Sequence, residues 1–131
     1  MALMRTSAYV DDDAMDAIYT LQADVLKVLA NARRLEILHE LAKGPCEVGR
    51  LAQALGMSQP NLSQHLAVMR TAGVVDAERG GREVRYRLAD PDVMAACAVM
   101  RGVVQRRLDR LAELTRPRTH PRRVAATGGD A

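Results

Sequence analysis

The chain has 131 residues, 48% of them hydrophobic, with 19 basic and 16 acidic side chains and a net charge of +3. This length suits one domain. With no Trp, no Phe and three Tyr, its core must come from Leu, Val, Ala and Met, a modest interior that dimerisation would enlarge. Two cysteines exclude a disulfide-stapled secreted framework, and no apolar run approaches the roughly 20 residues of a membrane span.

Residues 1–13 read as a flexible arm ending in Asp11-Asp12-Asp13, acids that suit the positive end of a following helix. From Ala14 to Ala30, Ile18, Leu21, Val25, Val28 and Leu29 recur at helical spacing. Asn31 is a cap for a second helix with Leu35, Leu38 and Leu41 on its stripe, ended by Lys43-Gly44-Pro45. A third helix is expected from about Glu47 to Leu55, burying Val48, Leu51, Ala52 and Leu55, with Gly56 as the turn. Ser58 caps a fourth, with Pro60 in its first turn, Leu62, Leu66 and Met69 inward, and Gly73 as the stop.

Strands are expected at about 74–79 and 83–88, joined by a Gly80-Gly81 turn. In the second, Val84, Tyr86 and Leu88 alternate with Glu83, Arg85 and Arg87. Asp90-Pro91-Asp92 opens a long helix to about Thr115, with the stripe Val93, Cys97, Met100, Val104, Leu108 and Leu111. Residues 116–131, with two prolines, four arginines and a Gly-Gly, read as a disordered basic tail.

Two short helices hinged at a glycine, followed at once by a basic hairpin, are a winged helix-turn-helix. The fold expected is mainly α with a small β-hairpin, in the order α-α-α-α-β-β-α. Residues 14–90 would form the DNA-binding domain and 91–115 a dimerisation helix.

Ser58, Gln59, Asn61, Ser63 and Gln64 form the polar face at the start of the fourth helix. Gln and Asn bond adenine bidentately, and Ser bonds phosphate or base. On the wing, Arg79 and Arg82 are expected to reach a phosphate or the minor groove. Arg85 divides evenly between that role and a solvated one. Arginine supplies 17 of the 19 cations, which suits such contacts, although a GC-rich genome encodes the same bias. His65 is expected to be bonded within the unit rather than to read a base. No nucleotide loop, Gly-x-Ser-x-Gly or His-Glu-x-x-His is present, so no enzyme activity is expected.

The stretches LKVLANARRLEILHEL, LAQALGMSQPNLSQHLAVMRTAGVV and GREVRYRLAD resemble the arsenic-repressor-like (ArsR/SmtB) family of winged-helix regulators over about residues 14–112. The resemblance implies a homodimer pairing largely through its first and last helices, and a repressor released by a small inducer, often a metal ion. An imperfect palindrome in double-stranded DNA would match the two-fold axis of such a dimer. With two cysteines and no charged-then-apolar signal sequence, the protein is expected to be cytoplasmic. The family's inducer sites do not carry over. Its third-helix thiolate register holds Glu47, Val48, Gly49 and Arg50, with Cys46 one position outside. Its last-helix zinc register begins with Asp90 and Asp92 but continues with Val103 and Arg106, and its second-helix cysteine position is His39. No cofactor or metal site is expected.

The remaining soft nucleophiles, apart from methionines, are Cys46 and Cys97. Each alone reads more readily as a packing residue; as a pair they are the candidate sensing thiols, for an oxidant or reactive sulfur species. A soft metal or metalloid is the alternative ligand. A protein-interaction module and a non-specific DNA-coating protein are the alternatives of another class.

Overall fold

The computed structural model describes residues 12–117. The arm before Asp12 and the tail after Pro117 lie outside the described residues. Eight elements follow in order: α1 (Asp12–Leu29), α2 (Ala32–Leu41), β1 (Cys46–Glu47), α3 (Val48–Leu55), α4 (Gln59–Thr71), β2 (Val75–Gly80), β3 (Glu83–Leu88) and α5 (Pro91–Thr115). The described residues divide into two units that part between Ala95 and Ala96, within α5.

Local chemistry accounts for the helix boundaries. Asp12 and Asp13 fall in the first turn of α1, where carboxylates complement the exposed amides. The Asn31 side chain accepts from the Arg34 amide at 3.1 Å and starts α2. Glu47 caps α3 with both carboxylate oxygens, accepting from the Gly49 amide at 2.8 Å and the Arg50 amide at 3.2 Å. Ser58 Oγ accepts from the Asn61 amide at 3.3 Å and starts α4. Gly56 ends α3 at φ 63°, a left-handed conformation that costs glycine little.

The core of the first unit lies where α2, α3, α4 and the sheet meet. Ile37, Leu38 and Leu41 of α2, Leu51 and Ala52 of α3, and Leu62, Leu66 and Met69 of α4 are buried there, with Met57, Val74 and Val75. The α2 stripe is therefore rotated from the expected one: Ile37 is fully buried and Leu35 is 43% exposed. Val48 and Leu55 are only half-buried, whereas Met57, just past the turn, is in the core.

Two features of the sheet differ from expectation. It has three antiparallel strands in the order β1-β3-β2, because Cys46 and Glu47 pair with Tyr86 and Arg85. Cys46 is thus extended, and the helix begins after Glu47. The hairpin turn is Gly81-Arg82, not Gly80-Gly81, since Gly80 still pairs with Glu83. That register places Val75 opposite Leu88 and Ala77 opposite Tyr86, keeping the buried and half-buried side chains on one face. A slip of one residue would turn that face to solvent.

Much apolar surface stays open. On α1 only Leu29 is buried, while Ile18 is 48% and Leu21 63% exposed. No residue of α5 is buried.

Candidate nucleic-acid interface

The turn between α3 and α4 is held from behind by two adjacent arginines of α2. Arg33 reaches the C-terminal end of α3, donating from Nη2 to the Leu55 carbonyl at 3.4 Å, and pairs through Nη1 with Glu36 at 2.9 Å. Arg34 donates from Nη1 to the Val28 carbonyl of α1 at 3.0 Å, and from Nε to His65 Nδ1 in α4 at 3.1 Å. Arg34 therefore ties the end of α1 to the middle of α4. Sequence reasoning missed both roles, since each partner lies on a different element. Asn31, which caps α2 and sets the phase of both arginines, was the one legible hint.

His65 is an internal acceptor, as expected. Its Nδ1 lone pair is used by Arg34, which leaves the imidazole proton on Nε2. Burial, then the Arg34 charge, then that of Arg33, hold its pKa below the ordinary 6.5.

With Leu62, Leu66 and Met69 facing inward, α4 turns Asn61, Ser63 and Gln64 to solvent. Ser58 and Gln59 are also exposed but already have local roles. Ser58 Oγ accepts the capping bond, leaving its O–H to donate outward. Gln59 leans over the start of α3, where a Cβ on Gly49 would come 3.3 Å from its Nε2.

On the wing, the strand register sorts the arginines. Arg85 and Arg87 lie on the face that also carries acids: Arg85 is opposite Glu78 on one side and Glu47 on the other, and Arg87 is opposite Asp76. Arg87 stands 3.9 Å from Asp76 and 3.8 Å from Glu78, and Arg85 donates to the Pro45 carbonyl at 3.5 Å. Arg79 is opposite Val84 on the other face, and Arg82 is in the turn itself. Among the described residues neither Arg79 nor Arg82 enters an ion pair, so both remain available to an outside anion. The exposed polar side chains of α4 and these two arginines are groups of the kind that can donate to base edges and to phosphate.

Both thiols are free and half-buried. Cys46 Sγ donates to the Glu47 carbonyl at 3.5 Å. It lines a cavity of about 260 Å³ with Pro45, Glu47, Arg50, Glu83 and Arg85, alongside the first half of β3. The amides that open α3 are occupied by Glu47 rather than by the thiol. Cys97 lies in α5. Among the described residues no group of three or more His, Cys, Asp or Glu side chains is placed to hold a metal ion. No described helix is long and apolar enough to cross a membrane.

Residues 31–77, which span the helix-turn-helix and enter the wing, match the family model for bacterial regulatory proteins of the arsR family. The HTH-type transcriptional regulator Rv0081 of Mycobacterium tuberculosis is 42% identical over 101 residues, covering 76% of this chain and 89% of the relative. Its crystal structure superposes with a TM-score of 0.65 over 72% of this chain and 97% of that one. The solution structure of the homodimeric winged helix-turn-helix domain of Mb0332 from Mycobacterium bovis, a possible ArsR-family regulator, is 33% identical. It superposes with a TM-score of 0.66, covering 86% of this chain and 98% of that one. The biofilm growth-associated repressor of Agrobacterium fabrum is 44% identical over 77 residues, covering 59% of this chain and 66% of the relative. With these likenesses and a winged helix-turn-helix of the same architecture, the chain belongs to the arsR family of bacterial regulatory proteins, DNA-binding transcriptional regulators rather than enzymes.

Proposed function

We propose that the protein is a cytoplasmic, homodimeric, sequence-specific repressor whose two α4 helices enter successive major grooves of an imperfect palindrome. Asn61, Ser63 and Gln64 read base edges. Ser58 and Gln59, at the helix start, position the backbone. Arg79 and Arg82 take a phosphate or the minor groove. The observation that carries this reading is the exposed polar segment of α4, set on a helix whose opposite side is fully buried at Leu62, Leu66 and Met69. A protein-docking module would present an apolar face there.

The test compares an operator fragment with random DNA. Gln64→Ala is expected to lose specific binding, a change of about 1–3 kcal/mol for one bidentate contact, while weak binding to random DNA persists. Equal losses on both would remove Gln64 as a reader. No preference of the wild type for any sequence would instead identify a DNA-coating protein.

Release from DNA belongs, in this reading, to thiol chemistry at Cys46 and Cys97. Cys46 supports it: β1 pairs with the wing strand β3 and leads directly into α3. Added bulk or a covalent tie at this sulfur would shift the wing against the reading helices. With peroxide as oxidant, two thiols lose two protons and two electrons to give a disulfide and two waters; a polysulfide would accept the two electrons itself, leave as hydrosulfide with the protons released, and keep a sulfur atom between the two cysteine sulfurs. A switch of this kind must favour one of two dimer shapes. A Cys46→Ser, Cys97→Ser variant is expected to stay on DNA under peroxide or polysulfide that releases the wild type. Equal responses would make both cysteines packing residues. Release of the wild type by a soft metal alone would replace the oxidant with a metal ligand.

A further inference from the structure

Two apolar surfaces in this chain each carry one charge without an ion pair among the described residues. The first is a groove of about 700 Å³ between α1 and α4, walled by Leu21, Val25, Val28, Val68 and Thr71, with Asp24 as the one charged residue in its lining. Asp24 lies three residues after Leu21 and four before Val28, so its carboxylate sits on the apolar stripe of α1 and not on the opposite face. The second surface is the exposed stripe of α5. Met100, Val104, Leu111 and Leu114 stand at −7, −3, +4 and +7 from Arg107, so the guanidinium lies along the edge of the stripe, next to Leu108. The two helices also differ in charge. Four aspartates oppose one lysine on α1, whereas α5 carries four arginines between residues 101 and 110.

We propose that the groove between α1 and α4 receives α5 of a second copy, with Arg107 of each chain paired to Asp24 of the other. This rests on the homodimer reading and specifies what sets its register. An apolar seam alone tolerates sliding, because neighbouring turns of Val, Met and Leu are nearly interchangeable. A single charge in such a seam is costly when it meets only hydrocarbon and is offset when it meets its counter-charge, so it selects one alignment and one partner. The groove supplies one carboxylate, and Arg107, on the edge of the stripe, supplies the guanidinium. Two-fold symmetry then makes the pair twice, once on each side of the axis.

Charge reversal tests this on the full chain. Asp24→Arg alone would set two guanidiniums against each other across the seam, and Arg107→Asp alone would set two carboxylates there. Each is expected to raise the dimer dissociation constant at least about tenfold by sedimentation. Mixing the two variants carries the decisive readout. In the heterodimer, one of the two sites brings together the unchanged Asp24 and Arg107 only if each variant contributes its native partner, whereas the sites of either homodimer hold like charges alone. The chain with Asp24→Arg keeps Arg107, and the chain with Arg107→Asp keeps Asp24, so these two native groups meet on one side of the axis and the two introduced groups meet, with reversed polarity, on the other. Native mass spectrometry is therefore expected to show the heterodimer in large excess over either homodimer. Both residues are exposed, and circular dichroism would verify that the variants remain folded. A dimeric wild type whose variants dimerise equally well, and mix statistically, would overturn the pairing while leaving the homodimer intact. A monomeric wild type would overturn both. Recovery in the double variant without heterodimer excess in the mixture would assign the pair to a single chain, and so overturn the proposal.

Discussion

Arg34 and His65 show how one contact can fix α4 from its inner side. His65 must be neutral at Nδ1 to accept from Arg34, and burial with the two nearby guanidiniums keeps it so. Its folded pKa lies below the unfolded value of 6.5, so below that pH the unfolded chain takes up a proton that the folded chain resists. The stability contribution is therefore complete above about pH 6.5 and is lost as pH falls toward the folded pKa. His65→Gln is expected to flatten the decline in melting temperature as pH falls below 6.5. An unchanged slope would remove His65 as its source. Arg82 has a different proposed role. A guanidinium in the turn would reach phosphate without reading sequence, so Arg82→Ala is expected to weaken binding to every DNA alike. It is also expected to reduce the slope of log K against log salt by about one, as measured by titration at several salt concentrations.

At the level of elements, α4 was fully legible because each signal is local: Ser58 as cap, Pro60 in the first turn, and Leu62, Leu66 and Met69 at helical spacing. The candidate readers follow from that phase, since fixing the buried face fixes the exposed one. β1 was not legible. A two-residue strand has no period to detect, and Cys46-Glu47 is a strand only because Tyr86 and Arg85, about forty residues on, pair with it. The wing turn slid by one residue for a similar reason. Gly80-Gly81 and Gly81-Arg82 are both acceptable two-residue turns locally, and both keep Val75 and Tyr86 on one face, so the alternation in the sequence does not choose between them. Glu47 has a place in both outcomes, as a residue of β1 and as the cap of α3. Removing its carboxylate leaves the Gly49 and Arg50 amides unpaired, so Glu47→Ala is expected to cost about 1 kcal/mol, a drop of roughly 4 °C in melting temperature for a chain of this size. No change would mean that solvent satisfies those amides equally well.

For the whole molecule, α1 and α5 leave more apolar surface open than the first unit's core can explain. Met100 is 61%, Val104 48% and Leu108 54% exposed, all on one stripe of a helix with no buried residue. A stripe of this kind gains stability when a second copy covers it. Two consequences follow for a chain that folds and pairs together. Its melting temperature is expected to rise with protein concentration, because dilution releases monomers whose α5 stripe is exposed. In the proposed reading the same association would set two α4 helices at half-sites about one helical turn apart, so operator affinity is expected to depend on pairing as well as on α4. Val104→Glu places a carboxylate in the middle of the stripe without touching the helix-turn-helix. It is expected to give a monomer in sedimentation that retains α4 and the wing, binds an isolated half-site as weakly as the wild type does, and loses the extra affinity for the full palindrome. An unchanged dimer would move the interface away from Val104, and a monomer with full palindrome affinity would separate pairing from recognition.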